Sequence, residues 1–344
     1  MKEKQMSRRS FVKVSTASMA AMSVPAIASA RTAEAPAAAP QQQGGATQNY
    51  IPAWRPGDPD SFTRYYFDSL MLETRYLDSD IPSTKFELFG ETFDTPIMTA
   101  ALSHLHNPAN GMAIYAQAAK DCNAVHWMGM GEDKELEDVL ATGARTIKVI
   151  KPHRDNAEVF RRIKHAIGAG CFAIGMDIDH SFNSTGGYDV VMGVPMKNET
   201  FEDLKSFVKA SSVPFIVKGV LSVSDARKCL DAGVAGIVLS HHGGRVKYSI
   251  PPLMALEPIL DAVGGKMKIF LDCGVVSGMD AYKCLALGVD AVSVGRHLMP
   301  LVQQGVDAVA KRIKAMTAEL AGVMAATGVK SLDQMDPTVI HKTF

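Results

Sequence analysis

The sequence predicts a (β/α)8 barrel, in which eight parallel strands form an inner ring and eight helices an outer one. Three observations carry this. From residue 95 onward a short apolar run followed by a helical pattern recurs about every 25 residues, and there are eight such units. The runs are nearly continuous rather than alternating, as strands buried on both faces require. Polar residues interrupt them at their carboxyl ends, where a barrel of this kind carries its chemistry.

In chain order, the expected strands are Pro96 to Ala101, Ala124 to Met128, Thr146 to Ile150, Phe172 to Ile178, Pro214 to Val220, Gly236 to Ser240, Lys268 to Asp272 and Ala291 to Gly295. The helices that follow them are Gly111 to Ala119, Glu132 to Ala141, Ala157 to Ile167, Phe201 to Ala210, Ser224 to Ala232, Leu253 to Val263, Met279 to Leu287 and Val306 to Ala326. An open doubly wound sheet is the competing arrangement. It uses fewer strands and places a G-x-G-x-x-G turn after the first one, and no such turn follows Ala101.

Ahead of the barrel the sequence divides into three. Residues 1–30 read as a twin-arginine signal peptide: Ser7, Arg8, Arg9, Ser10, Phe11, Val12, Lys13, a modest apolar stretch, then Ala28, Ser29, Ala30 as a small-residue cleavage site. That route implies a periplasmic or extracellular destination and favours a protein that folds around a cofactor. Residues 31–49, rich in Ala, Pro, Gln and Gly, read as a flexible linker with too little apolar surface to order. Residues 50–344 are the barrel domain, with an aromatic-rich lead-in through residue 93 that caps one end.

Composition excludes several classes. Beyond residue 30 the chain carries 31 basic against 35 acidic side chains, a net of −4 that argues against nucleic acid as a partner. Five cysteines without paired spacing do not form a disulfide framework and read mostly as small core residues. No apolar run after residue 30 approaches the ~20 residues that span a bilayer.

The strand ends hold the candidate functional residues. After strands seven and eight stand two glycine turns, Asp272, Cys273, Gly274 and then Gly295, Arg296. Exposed backbone N–H groups and an arginine at that place suit a phosphate. Lys218 closes strand five, where a buried lysine calls for an anion, a cofactor or a Schiff base, unless it snorkels to solvent. After strand six, Ser240, His241, His242, Gly243, Gly244 and Arg245 combine a group that exchanges protons near neutral pH with a guanidinium fork suited to a carboxylate. Adjacent histidines project differently and no further ligand spacing supports them, so no metal site is expected.

Together these residues resemble the FMN-dependent α-hydroxy-acid oxidase and dehydrogenase family. Its signature Ser-Asn-His-Gly-Gly-Arg-Gln is matched at five of seven positions by Ser240 to Val246, and the likeness runs from about Phe67 to the carboxyl terminus. The resemblance implies FMN as cofactor, His242 as catalytic base and Arg245 as the holder of a small organic acid. It places Lys218 beside the flavin, Ser240 against it, and Asp272, Cys273, Gly274, Gly295 and Arg296 along the ribityl phosphate. It also assigns flavin contacts to Ala101 and Ser103 after strand one, Lys148 on strand three and Asp177 on strand four. The implied reaction oxidises a 2-hydroxy acid to the 2-oxo acid, with a quinone, a cytochrome or oxygen taking the electrons, and the family's habit is a homotetramer.

The sequence departs from the family at several contacts. The family's Gln-x-Tyr on strand three reads Lys148, Val149, Ile150, and the arginine after Asp-Gly-Gly-Val is Val276. These leave open a reductase or isomerase on the same flavin, or a flavin-free binding protein.

Overall fold

The computed structural model describes residues 54–343. The expected signal peptide and linker lie outside the described residues. Helix α1 (Pro59–Asp68) opens on a proline in its first turn, a position where the missing N–H costs nothing. Strand β1 (Leu70–Leu72) pairs antiparallel with the late segment Ile340–Lys342, tying the lead-in to the carboxyl-terminal end. A hairpin of β2 (Phe86–Leu88) and β3 (Glu91–Phe93) follows.

The ring comprises β4 (Ile97–Thr99), β5 (His126–Met128), β6 (Thr146–Ile150) and β7 (Ala173–Asp177). A small antiparallel pair, β8 (Val190–Val191) and β9 (Val194–Pro195), then interrupts it. The ring resumes with β10 (Phe215–Val220), β11 (Gly236–Leu239), β12 (Lys268–Leu271) and β13 (Ala291–Val294). All ladder pairs in the ring are parallel, in the order β4-β13-β12-β11-β10-β7-β6-β5. The seam between β4 and β5 is closed by the Thr99 N–H donating to Val125 O at 3.2 Å and by a parallel bridge between Leu102 and Met128. The expected (β/α)8 barrel is therefore what the chain forms.

Its helices are α2 (Gly111–Asp121), α3 (Asp133–Ala141), α4 (Asn156–Gly168), α5 (Phe201–Ala210), α6 (Val223–Asp231), α7 (Pro252–Val263), α8 (Gly278–Ala286) and α9 (Val306–Ala326). Each lies within two residues of its sequence-predicted bounds. Several begin where a side-chain oxygen caps them. Asp155, Ser222 and Ser277 accept backbone N–H groups of α4, α6 and α8, and Thr200 with Asp203 forms a reciprocal box on α5.

Alternation along the strands sorts side chains into an inner and an outer core. Met98, Trp127, Ile147, Val149, Ile216, Val238, Phe270 and Ala291 pack inside the ring, and Phe86, Leu88 and Phe93 of the hairpin join them and plug one end. Ile97, Ile150, Ile174, Val217, Leu239, Leu271 and Val292 face the helices. Continuing the inner phase to the other end brings Asp177, Lys218, Ser240 and Asp272 into the mouth. On β6 the inner phase is Ile147, Val149 and then Lys151.

That phase corrects one expectation. Lys148 is on the helix-facing side of β6, not at the mouth. Its ammonium donates to Gly129 O at 2.5 Å and its charged neighbours are Arg162 and Glu135 of the helical layer. Reading the strand as a motif aligned by residue type placed it one residue out of register, and one residue reverses a strand's faces. Lys151 is the inward lysine.

Candidate active site

The mouth is organised around two buried lysines and the carboxylates between them. Asp177 closes β7 and is almost wholly buried. Its Oδ2 lies 2.6 Å from Lys151 Nζ and its Oδ1 3.2 Å from Lys218 Nζ. Lys218 is also 3.5 Å from Asp272 Oδ2 and 3.4 Å from Ser240 Oγ. Burial opposes charge on Asp177, but Lys151, Lys218 and His242 outweigh it and hold its carboxyl well below the ordinary range. Burial likewise opposes charge on Lys218, and Asp177, Asp272 and Asp179 overcome it and raise its ammonium well above the usual value. Asp177 and Lys218 are thus both ionised at neutral pH.

His242 stands on this network with φ +53°, followed by Gly243 and Gly244 at +70° and +88°. The left-handed run turns the loop back over the ring and aims the imidazole inward. Its backbone N–H donates to Ser240 Oγ at 3.0 Å, and its Nδ1 is 2.8 Å from Asp179 Oδ1. Lys218 Nζ is 3.2 Å from the same nitrogen. The shorter carboxylate contact assigns the ring proton to Nδ1 and leaves Nε2 as the basic nitrogen. His241 points the other way, with Nε2 2.8 Å from Thr63 Oγ1 of α1.

Both candidate anion-binding arginines hold an internal carboxylate. Arg245 Nη2 is 2.6 Å from Asp189 Oδ2 and donates to Phe182 O at 2.9 Å, while its Nη1 is 2.8 Å from His180 Nδ1. Arg296 grips Asp60 of α1 through both guanidinium nitrogens, at 2.5 and 2.6 Å. Geometry of this forked kind is what a carboxylate or phosphate receives from arginine.

The remaining expected residues line the rim. Cys273, at φ +67°, lies between Asp272 Oδ1 at 3.0 Å and Ser240 Oγ at 3.6 Å, so this cysteine belongs to the site; the other four are buried. Gly274 is required where it is: a Cβ would come 2.4 Å from Thr63 Cγ2 of α1. Ser103 packs against β5, where a Cβ on Gly129 would meet its Oγ at 2.3 Å. Ala101 lies in the same turn. At Gly295 a Cβ would sit 3.1 Å from Ala100 Cβ, and at Gly243 one would sit 3.5 Å from the Arg296 guanidinium carbon.

The mouth therefore gathers Asp177, Lys218, Ser240, His242, Asp272 and Cys273, with Arg245 and Arg296 at its edge. Sequence reading missed Lys151, His180, Asp189 and Asp60. The run Asp177, Ile178, Asp179, His180 signalled part of this, since three ionisable residues after one strand exceed what solvation of a loop needs. Asp179, His180 and His242 bring ligand-type atoms within 4.8 Å of one another. Lys151, Lys218 and Arg245 surround them, and that positive charge opposes a bound cation.

A closed parallel barrel with a histidine–aspartate pair, a buried lysine and two anion-holding arginines at its carboxyl-end mouth defines an enzyme that works on anionic ligands. The chain matches the model of the FMN-dependent dehydrogenase family over residues 61–199 and 189–342, and it belongs to that family. It is 28% identical to 4-hydroxymandelate oxidase of Amycolatopsis orientalis, over 73% of this chain and 80% of that protein. It is 29% identical to L-lactate oxidase of Lysinibacillus sphaericus (strain C3-41), over 78% and 83%. Among solved structures it resembles a mandelate oxidase variant with (S)-mandelic acid, at 26% identity and a TM-score of 0.75, covering 83% of this chain and 89% of that one.

The mouth fits FMN. Gly243 lets the backbone pass against the Arg296 guanidinium, whose hold on the Asp60 carboxylate shows it oriented as an anion receptor. Lys218 supplies a buried fixed charge, and the Asp179 Oδ2 atom is a buried acceptor without a hydrogen-bond partner.

Proposed function

We propose that this chain is an FMN-dependent dehydrogenase that oxidises a small 2-hydroxy acid to the 2-oxo acid. The observation that carries the reading is the His242–Asp179 pair seated beside Lys218 at the barrel mouth. Lys218, Ser240, Asp177, Ala101 and Ser103 would hold the flavin ring, and Asp272, Cys273, Gly274, Gly295 and Arg296 its phosphate tail. FMN, when bound, supplies a two-electron acceptor. Asp179 fixes the Nδ1–H tautomer of His242, so that Nε2 takes the hydroxyl proton, and it stabilises the imidazolium that results. Arg245 orients the carboxylate, setting the substrate's hydroxyl carbon relative to that base.

The electron acceptor would be a quinone, a cytochrome or oxygen. The paired arginines and Ala-x-Ala sequence near the amino terminus support twin-arginine export and work in the periplasm or outside the cell, and the family's habit supports a homotetramer. A second reading is favoured by Lys151, a cation at the mouth on the strand where the resemblance places a tyrosine. It keeps the flavin but has the site reduce or isomerise a different organic acid.

The two readings separate on anaerobic mixing of the FMN-loaded protein with glycolate, lactate and mandelate. Bleaching of the visible flavin bands by one of them is expected. Intact bands with all three, in protein that keeps its flavin, would favour the second reading.

A further inference from the structure

The segment between β7 and α5 folds back over the mouth. His180 stands edge-on to the His242 ring, with centroids 4.5 Å apart. Asp189 reaches the guanidinium of Arg245, a residue 56 positions later in the chain. The segment is tied at its base by the Arg154 N–H donating to Pro195 O and the Lys197 N–H donating to Pro152 O. Asp189 keeps its negative charge: burial opposes it, but His180 and Arg245 hold its carboxyl below the ordinary range. Burial, reinforced by Lys151 and His242, brings His180 down to about 4, so at neutral pH it is uncharged and its Nδ1 accepts from Arg245 Nη1 at 2.8 Å. Arg245 therefore holds, through Nη2, an anion supplied by its own chain, at the place where the proposed function requires the substrate's acid group.

We propose that Asp189 is a specificity-determining residue that competes with the substrate's carboxylate for Arg245. The inference rests on the assignment of Arg245 as the acid-binding group. A ligand with a carboxylate placed to take the fork displaces Asp189 and lifts the 186–193 segment from the mouth. A neutral analogue such as an amide or ester leaves the internal pair in place and is rejected, because breaking that pair would strand a partly buried charge. Asp189 thereby sets how strong an anion must be to bind.

The test is equilibrium binding of benzoylformate, a 2-oxo acid, to the FMN-loaded protein, followed by perturbation of the flavin spectrum. Asp189→Asn is expected to tighten binding about tenfold, equivalent to ~1.4 kcal/mol. Asp189→Ser repeats the measurement in case the amide finds a new partner, and melting temperature and flavin content confirm that both variants are folded. Arg245→Met is expected to lose at least tenfold, and adding Asp189→Asn to it should produce no gain. In the wild type, saturating benzoylformate should speed amide exchange at residues 186–193. Unchanged affinity in both Asp189 variants, a gain that persists without Arg245, or unchanged exchange on binding would each overturn the competition while leaving the dehydrogenase reading intact. If Arg245→Met binds as the wild type does, Arg245 is not the acid receptor, and the assignment beneath the proposal fails with it.

Discussion

The two ends of this barrel are made from the same eight strands and obey opposite rules. At the plugged end, Phe86, Leu88 and Phe93 meet Trp127, Phe172 and Phe270 in an apolar layer. At the mouth, further along the ring strands, the inward positions are Lys151, Asp177, Lys218, Ser240 and Asp272. The first end is stabilised by area removed from water. The second holds charges whose desolvation is offset only because each has a partner of opposite sign. Stability is concentrated where nothing reacts, and that allows a cluster of ions to be held rigid where a reaction occurs.

The contrast can be broken at either end. Trp127→Ala should cost about 3–5 kcal/mol in urea unfolding, since it empties a layer shared with Phe270 and Met98. It should leave ligand preference unchanged, because no polar mouth residue depends on it. Lys218→Met should cost about 3 kcal/mol in the same assay by leaving Asp177 and Asp272 with less opposing charge. In contrast to the first variant, it should also weaken flavin retention. A stability loss confined to the Trp127 variant would show that the ions at the mouth do not depend on one another.

Smaller effects sharpen the same contrast. Asp60→Asn removes the carboxylate that holds Arg296 and should tighten FMN binding about threefold, ~0.7 kcal/mol, as measured by equilibrium dialysis. Glu199, just before α5, is a buried carboxylate with Lys197 Nζ 3.3 Å from its Oε2. Burial pushes it up to about 7 against the opposing pull of Lys197. In the unfolded chain this group ionises near pH 4.5, so between about 5 and 7 the folded state binds the extra proton and stability falls as pH rises. Melting temperatures across that window should show the slope, and Glu199→Gln should flatten it.

Local pattern made the scaffold legible. Continuous apolar runs and helical spacing are properties of ten or so neighbouring residues, and all eight units could be read from them. The same held for Lys218, Ser240, His242 and Asp272, which sit at strand ends in phase with the interior. The contacts that decide which anion is held were not legible. Asp60 and Arg296 are 236 positions apart. Lys151 is hidden by a one-residue phase difference that residue type alone does not reveal, because Lys148 precedes it on the opposite face of the same strand.

The central claim is that chemistry at the mouth runs through His242, held by Asp179. It is tested most directly by anaerobic stopped-flow reduction of the FMN-loaded His242→Ala variant, using whichever 2-hydroxy acid bleaches the wild type. Flavin retained and a reduction rate lowered by about 10²–10⁴ is the expected result. Reduction at the wild-type rate with flavin bound would contradict it.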